Sequence, residues 1–167
     1  SLNRQRQAIN ALGKTTGLGY NGREDLTQVT DPRGLVTQYP RNGLGDATAV
    51  VSPDTGATGL SVDAAGNVLT RTDSRGAVAS HTYDALNRPV TMTQPDASVI
   101  LPSFNEAGLL EGVTVKIRGA ATATTFVENI DYDVKGRREK IEYGNGTSTT
   151  YDYDPLTYRL TRLKTTR

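Results

Sequence analysis

Apolar and polar residues alternate along short stretches of this chain, and no stretch has the length or spacing of an amphipathic helix. The alternating stretches are rich in β-branched and aromatic residues, which favour strands. They include 68–72 (VLTRT), 90–93 (VTMT), 138–143 (REKIEY) and 147–153 (TSTTYDY). Because a period of two places successive side chains on opposite faces of a sheet, the pattern predicts short β-strands.

A second periodicity, of 21 residues, runs through the same strands. Each unit starts at a position that is often aromatic, and a spacing of 28 residues between the fifth and sixth starts indicates a seven-residue insertion. The unit starts are Tyr20, Arg41, Val62, Tyr83, Phe104, Tyr132 and Tyr153. An internal repeat of this length predicts that each unit is one supersecondary element.

The residue after each unit start is always Asp or Asn. These residues are Asn21, Asn42, Asp63, Asp84, Asn105, Asp133 and Asp154. Three residues further on, most units have Gly or Asn, namely Gly45, Gly66, Asn87, Gly108 and Gly136. An Asp or Asn side chain accepts the backbone N–H two residues on and fixes a turn, while Gly or Asn supplies a positive φ. We therefore interpret both sets as structural turn residues.

A second turn signal follows the same register. Its segments are 31–34 (DPRG), 52–56 (SPDTG), 73–76 (DSRG), 94–97 (QPDA) and 143–146 (YGNG). Two turns in each unit imply two strands in each unit, so every unit reads as a β-hairpin joined to the next by a tight turn. We predict an all-β fold of consecutive antiparallel hairpins, with residues 1–167 as a single repeat segment.

The insertion falls in residues 113–130, where both arms alternate and a loose connection, RGAATAT (118–124), separates them. We expect the insertion to lengthen one hairpin so that it protrudes, and we favour a tolerated protrusion over one that contacts a partner. The segment 3–14 (NRQRQAINALGK) fits either a short helix or a fraying strand.

Composition narrows the classes of function. Only 35% of residues are apolar, which predicts a thin core spread along a sheet. The net charge of +1 has no basic cluster of the kind that nucleic acid requires, and we expect the basic end 159–167 to be a frayed, solvated terminus. There is no Cys, no stretch of membrane-spanning length and no signal peptide. The chain starts without Met, and we expect it to be a fragment of a larger protein.

The repeated motif itself points to a family. YDVKGRRE (132–139) contains Tyr-Asp-x-x-Gly-Arg, and YDALNR (83–88) has Asn for the Gly. RNGLGD (41–46), VDAAGN (62–67) and FNEAGL (104–109) are degenerate copies, and 141–163 matches especially well. Over about 20–163 the chain resembles the YD repeat of Rhs proteins and of the B and C components of Tc toxins.

This resemblance implies a sheet of stacked hairpins that curves and spirals into a hollow shell around a polymorphic toxin cargo. The chain is then an arc of the shell wall, and its partners are neighbouring repeats or another shell subunit. The resemblance also implies that it is secreted or delivered at the cell surface as part of a bacterial toxin complex. The second hypothesis is an adhesion module whose Tyr- and Thr-lined face binds carbohydrate or protein. Exposed sheet edges in either case favour self-association.

Several side chains invite a catalytic or metal-binding interpretation, and we assign none. Asp131 with Asp133, and Asp152 with Asp154, lie on one face of a strand. Acid–base or Ca²⁺ chemistry would need these carboxylates. Other units replace the turn Asp with Asn, which keeps the acceptor and loses the proton chemistry. We predict no catalytic residues, no metal and no cofactor.

Three further signals are weaker. Asp31-Pro-Arg-Gly-Leu matches part of the aspartyl self-cleavage segment of Rhs shells, but it lacks that segment's surroundings and sits in the ordinary turn register. His81 occupies a strand position that is Leu, Ile or Tyr in other units, which predicts packing. The Gly-rich stretch 15–25 lacks the Gly-Lys-Ser/Thr of a phosphate loop and reads as a degenerate first unit.

Overall fold

The computed structural model describes residues 4–167, and these form antiparallel strands with no α-helix. The predicted all-β class of consecutive antiparallel hairpins is confirmed. The chain divides into two compact units, Ser1–Ser80 and His81–Arg167, and the boundary lies within one strand. In each unit every strand pairs with the strands that precede and follow it in sequence.

The first unit contains seven complete strands and the start of an eighth. They are β1 (Gln7–Ile9), β2 (Thr15–Tyr20), β3 (Leu26–Thr30), β4 (Val36–Gln38), β5 (Ala49–Ser52), β6 (Gly56–Val62), β7 (Val68–Thr72) and β8 (Val78–Tyr83). β4 is short because Pro40, which has no N–H to donate to a ladder, follows it closely.

The second unit continues from the end of β8 through seven more strands. They are β9 (Pro89–Thr93), β10 (Val99–Phe104), β11 (Leu110–Lys116), β12 (Thr124–Tyr132), β13 (Arg138–Tyr143), β14 (Ser148–Tyr153) and β15 (Leu160–Thr166). A single 3-10 turn, Ile117–Gly119, lies between β11 and β12.

The ladder register shifts by one residue at the unit starts, which the sequence pattern did not reveal. Tyr20 pairs with Leu26, and the shift falls between Gly19 and Tyr20. The same irregularity precedes Val62, Phe104, Tyr132 and Tyr153. A residue with positive φ at the end of a hairpin loop produces this type of bulge. The bulge therefore follows from the turn chemistry.

The sheet has almost no enclosed interior. Within residues 4–167 only Gly112 and three residues with larger side chains are buried, namely Ile130, Ile141 and Thr149 at 7%, 6% and 4% exposure. Ile130 pairs with Ile141, and Ile141 pairs with Thr149, so those three larger residues form one row across β12, β13 and β14. Stability must therefore come from contacts between adjacent hairpins, as in other repeat proteins.

Both ends of the chain are strands. Within 4–14 the chain forms a strand at Gln7–Ile9 and then a turn in which Gly13 N–H donates to Asn10 O, so the strand alternative holds for 7–9, and Asn3 lies outside the described residues. The prediction of a frayed end at 159–167 was wrong, because β15 pairs with β14 from Ser148–Thr166 to Tyr153–Leu160. The predicted solvent exposure of this end is correct, since every β15 residue is exposed.

The insertion separates β11 from β12 and brings β12 against the following turn. Gly144 N–H donates to Phe126 O at 3.2 Å. A Cβ on Gly144 would lie 1.9 Å from Thr125 O, which leaves no room for any side chain. Gly144 therefore permits this close approach of two backbone segments, and its φ is not in the left-handed region.

We predict that Gly144→Ala destabilises the chain by about 2 kcal/mol or more, because a backbone carbonyl cannot move aside as a flexible side chain can. The matched control is Gly59→Ala. No atom lies within 4 Å of a Cβ built at Gly59, which lies inside β6 and does not have a positive φ. Gly59→Ala should be neutral or stabilising by up to about 1 kcal/mol. Urea denaturation followed by circular dichroism measures both, and equal effects would contradict the explanation.

Candidate functional site

The Asp or Asn that follows each unit start closes its turn with a side-chain oxygen. Asn21 Oδ1 accepts the backbone N–H groups of Arg23 and Asp25, both at 2.9 Å. The same pair of acceptances, two and four residues on, is made by Asn42, Asp63, Asp84 and Asp133. Asn105 accepts from Leu109. The second acceptance, four residues on, was not predicted, and it ties the turn to the start of the next strand.

A left-handed residue ends these turns three positions after the Asp or Asn. The φ values there are 98° at Gly45, 85° at Gly66, 60° at Asn87, 77° at Gly108 and 75° at Gly136. Glu24, at φ 66°, adopts the same conformation without being Gly or Asn.

The last turn differs from this pattern. Asp154 Oδ1 accepts from Leu156 and Thr157, and the positive φ of 58° falls on Tyr158. That turn is one residue longer than the others, because Asp154 N–H donates to Arg159 O.

The other side-chain atom of the first turn residue selects a complementary partner four residues on. Asn21 Nδ2 donates to Asp25 Oδ2 at 3.1 Å, whereas the reversed pair has Asn67 Nδ2 donating to Asp63 Oδ2 at 3.0 Å. In two later repeats the partner is Arg, with Arg88–Asp84 at 2.7 Å and Arg137–Asp133 at 2.5 Å. Asn105 differs, because the residue four positions on is Leu109, which bonds to it only through its backbone N–H.

The residue four positions after the turn Asp or Asn also lies close to the turn glycine of the next 21-residue repeat. A Cβ on Gly45 would lie 3.5 Å from Asp25 Oδ2, and one on Gly66 would lie 3.4 Å from Asp46 Oδ1. Later in the chain, a Cβ on Gly108 would lie 3.5 Å from Arg88 Nη1. These distances are ordinary van der Waals contacts, so the turn glycines are required for their positive φ and not for space.

Arginine at the partner position stacks on the aromatic start of the following unit. Arg88 Cζ lies 4.6 Å from the centroid of the Phe104 ring, and Arg137 Cζ lies 4.3 Å from that of Tyr153. Each guanidinium is thus shared between a carboxylate in its own turn and a ring in the next. Cation–π contacts of this type contribute about 0.5–1 kcal/mol at exposed sites.

The aromatic residue in turn bonds back to the preceding unit. Tyr132 O–H donates to Leu110 O at 2.6 Å and Tyr153 O–H to Arg138 O at 2.9 Å. Tyr20 O–H makes the equivalent bond to Gln5 O at 2.9 Å. For Tyr132 and Tyr153 the acceptor is the sixth residue after the previous unit start, and Gln5 precedes Tyr20 by 15 residues, as Arg138 precedes Tyr153. Arg41 occupies the unit-start position, which is aromatic in most repeats. Its Nε donates to the corresponding carbonyl, Leu26 O, at 3.1 Å.

Tyr83 ends β8, and its ring centroid lies 6.4 Å from that of His81. His81 is half-buried, which agrees with the packing interpretation. Its Nδ1 is buried and has no hydrogen-bond partner within the described range.

The structure does not place the candidate carboxylates as a pair of unbonded side chains. β12 ends at Tyr132 and a register shift precedes that residue, so Asp131 and Asp133 do not share one strand face as the sequence pattern predicted. Asp131 Oδ1 accepts from Asn129 Nδ2 at 2.8 Å. Asp31 Oδ1 accepts from the N–H groups of Arg33 and Leu35, at 2.8 and 2.9 Å. In residues 4–167 no three His, Cys, Asp or Glu side chains are grouped as a metal site.

Hydrogen bonding holds the turn carboxylates in the charged form. The backbone N–H of Arg137 lowers the pKa of Asp133, with the Arg137 side chain adding to the effect. The backbone N–H of Arg88 does the same for the pKa of Asp84, and the Asn67 side chain lowers the pKa of Asp63. These carboxylates are acceptors in the native turns and are poorly suited to proton transfer near neutral pH.

Two shallow depressions lie on the two units. The first, of about 390 Å³, is lined by Asn21, Thr27, Gln28, Gln38, Tyr39, Pro40, Arg41 and Asn42. The second, of about 310 Å³, is lined by Thr124, Thr125, Phe126, Tyr143, Gly144 and Asn145. No helix in the described part of the chain is long and apolar enough to cross a membrane.

We predict that Tyr132→Phe lowers the free energy of unfolding by about 0.5–1.5 kcal/mol, because it leaves Leu110 O without this donor. The reciprocal variant, Phe104→Tyr, should raise it by up to a similar amount of about 1 kcal/mol by placing a donor at Pro89 O, the equivalent carbonyl. Denaturant titration tests both. No loss in Tyr132→Phe together with no gain in Phe104→Tyr would show that ring packing, and not the hydroxyl, determines the contact.

Acid should weaken the turns. A carboxylate whose pKa is lowered on folding stabilises the native state above its unfolded pKa of about 3.9, and this contribution is lost as the pH falls through the native value. We expect the Tm to be flat from pH 7 to about 5 and to fall below about pH 4. The double variant Asp84→Asn/Asp133→Asn should have a lower Tm at pH 7 and a shallower acid decline. An unchanged acid decline would exclude these two turns as its source.

Comparison with known proteins agrees with this geometry. The RHS Repeat family model matches residues 62–99. The crystal structure of TcdB2-TccC3 without the hypervariable C-terminal region superposes with a TM-score of 0.77 at 20% identity, covering 96% of this chain and 10% of that one. TcdB2-TccC3 gives 0.70 at 17% identity, covering 97% and 11%, and TcdB2-TccC3-Cdc42 gives 0.69 at 17%, covering 96% and 10%.

No curated protein matches the chain. The chain spans about a tenth of the length of the TcdB2-TccC3 structures, and at 20% identity or less the likeness shows a shared fold. Residues 62–99 thus match the RHS Repeat family, which agrees with the YD motifs in the sequence, and the chain shares the fold of the TcdB2-TccC3 structures.

Proposed function

We propose that this chain is a structural segment of an Rhs/Tc-toxin-like β-shell that encloses a toxin cargo, and that it has no catalysis of its own. The observation that carries the proposal is the use of the repeated polar residues. The turn carboxylates and amides bond to their own turns, and the Tyr hydroxyls and Arg side chains bond to the adjacent hairpin. The Asp, Asn, Tyr and Arg side chains of the repeat thus stabilise turns and join adjacent hairpins, which is what a shell wall requires.

The state of the carboxylates supports a non-catalytic role. Self-cleavage at Asp31 would need a reactive carboxyl, but this side chain accepts two backbone amides and also bonds to Arg33 Nε at 2.7 Å. Asp154 is similarly engaged, since Oδ1 accepts from the Thr157 hydroxyl at 2.8 Å. A group held in this way is a poor nucleophile and a poor proton donor.

The proposed partners are neighbouring repeats of a longer chain or another shell subunit, together with the enclosed cargo, within a secreted or surface-delivered toxin complex. A nucleic-acid partner is not proposed, since the net charge is +1. The isolated chain should self-associate through β15, because all its residues are exposed and its outer edge presents unpaired backbone groups.

The test is cargo protection in the full-length parent protein. We expect the domain that follows the repeats to resist protease while the sheet is intact, because a closed wall excludes the protease. In a Gly144→Ala parent, that domain should be digested sooner than in a Gly59→Ala parent. Equal digestion of the domain in the wild-type parent and as an isolated domain would overturn the shell proposal.

A carbohydrate- or protein-binding module is the alternative, and one observation favours it. The depression of about 390 Å³ in the first unit presents the amides of Gln28 and Gln38 beside Tyr39 and Arg41. Amides and an aromatic face are groups that bind hydroxyl-rich ligands. Saturable binding on a glycan array, without cargo protection in the parent, would favour this alternative over the shell.

A further inference from the structure

The connection between β11 and β12 is built unlike the repeat turns. It runs from the 3-10 turn Ile117–Gly119 to the start of β12 at Thr124, and it contains no Asp or Asn to accept backbone amides. All residues from 117 to 126 are exposed, including Ile117 at 46% and Phe126 at 49%. It is therefore an accessible segment without the device that closes the other turns.

Few bonds hold this segment. Arg118, at φ 48°, donates its N–H to Ser98 Oγ at 3.0 Å, and Gly119 N–H donates to Ala97 O at 2.9 Å. Ala120 N–H donates to Ile117 O at 3.0 Å. For residues 121–123 no hydrogen bond occurs within the described range. Arg118 Nε also forms an exposed ion pair with Asp96 Oδ2 at 3.9 Å. Releasing the segment thus breaks two hydrogen bonds and this ion pair to the neighbouring turn, and one local bond.

Two other arginines provide a direct comparison, because their exposure is similar and their backbones are not. The Arg118 side chain is 81% exposed, that of Arg75 is 84% and that of Arg33 is 68%. Asp73 Oδ1 accepts from the N–H groups of Arg75 and Ala77, and backbone bonds join Gly76 to Asp73 O and Asp73 to Ala77 O. Arg33 lies in a turn of the same construction.

Endoproteases bind about eight to ten residues of substrate in an extended conformation, so cleavage follows the local unfolding of that length of chain. Around Arg75 such an opening would break the turn and the β7–β8 ladder, from Thr72–Val78 to Thr70–Ser80. Around Arg118 most of the required length is already outside the ladders. Among these three arginines, side-chain exposure alone predicts the fastest cleavage after Arg75, whereas backbone hydrogen bonding predicts the fastest cleavage after Arg118.

We infer that the Arg118–Gly119 peptide bond is a processing site for arginine-specific endoproteases and that its cleavage leaves the sheet assembled. In the reaction, water adds across the bond, the C–N bond breaks, Arg118 gains a carboxylate and Gly119 gains an amino group. The two fragments remain joined because the β11–β12 pairs Val113–Val127, Thr114–Thr125 and Val115–Thr124 lie outside the cut segment.

The experiment is limited digestion of the full chain with an arginine-specific endoprotease, followed by intact mass spectrometry. An enzyme of this specificity does not cut after Lys116. The expected result is cleavage after Arg118 at least about tenfold faster than after Arg75 or Arg33, because cleavage rate follows the population of the open form. Cleavage at Arg75 or Arg33 that equals or precedes cleavage at Arg118 would overturn the inference.

The matched variants are Arg118→Lys and Arg75→Lys, which keep the charge and the approximate length of the side chain. Arg118→Lys should abolish the early product, and Arg75→Lys should leave its rate unchanged. Size-exclusion chromatography of the nicked protein tests the second half of the inference. The fragments ending at Arg118 and starting at Gly119 should elute together, and their separation would show that the cut dismantles the sheet.

Discussion

The hairpins of this chain depend on one recurring hydrogen-bond pattern, in which a side-chain oxygen at the first turn residue accepts backbone N–H groups two and four residues on. Those amides have no partner in the strands, and an exposed turn with no internal acceptor would leave them to water. By closing the loop from both sides, the oxygen fixes where one strand ends and the next begins. Register, bulge and hairpin spacing follow from that point.

With four buried residues in the described range, one of them a glycine, the chain cannot be stabilised by a central core. The contacts between successive hairpins therefore carry the stability, and the structure shows a chain of them. Near the end of the chain, Asp133 forms an ion pair with Arg137, Arg137 lies over the Tyr153 ring, and Tyr153 O–H donates to Arg138 O. Each link is worth little by itself, but the repetition couples every hairpin to its neighbours.

Sequence reasoning found the strands and turns because both obey short-range rules. The bounds 68–72 and 138–143 are those of β7 and β13, since period-two alternation and turn chemistry act within a few residues. It missed what depends on other hairpins. The Tyr132 hydroxyl reaches a carbonyl of the previous hairpin, which its own repeat does not indicate. Likewise, nothing local to Gly144 reveals that Thr125 O lies against it. The C-terminal strand was missed because pairing with β14, not burial, makes it a strand.

The bond made by Arg41 shows that a guanidinium and a phenol can serve the same position of the repeat, since both reach equivalent carbonyls of the preceding hairpin. Amino-acid identity can then change while the geometry is kept. The family match covers residues 62–99, whereas the hairpins continue beyond both limits. Arrays of this kind are better detected by the spacing of their hydrogen-bonding groups than by amino-acid identity.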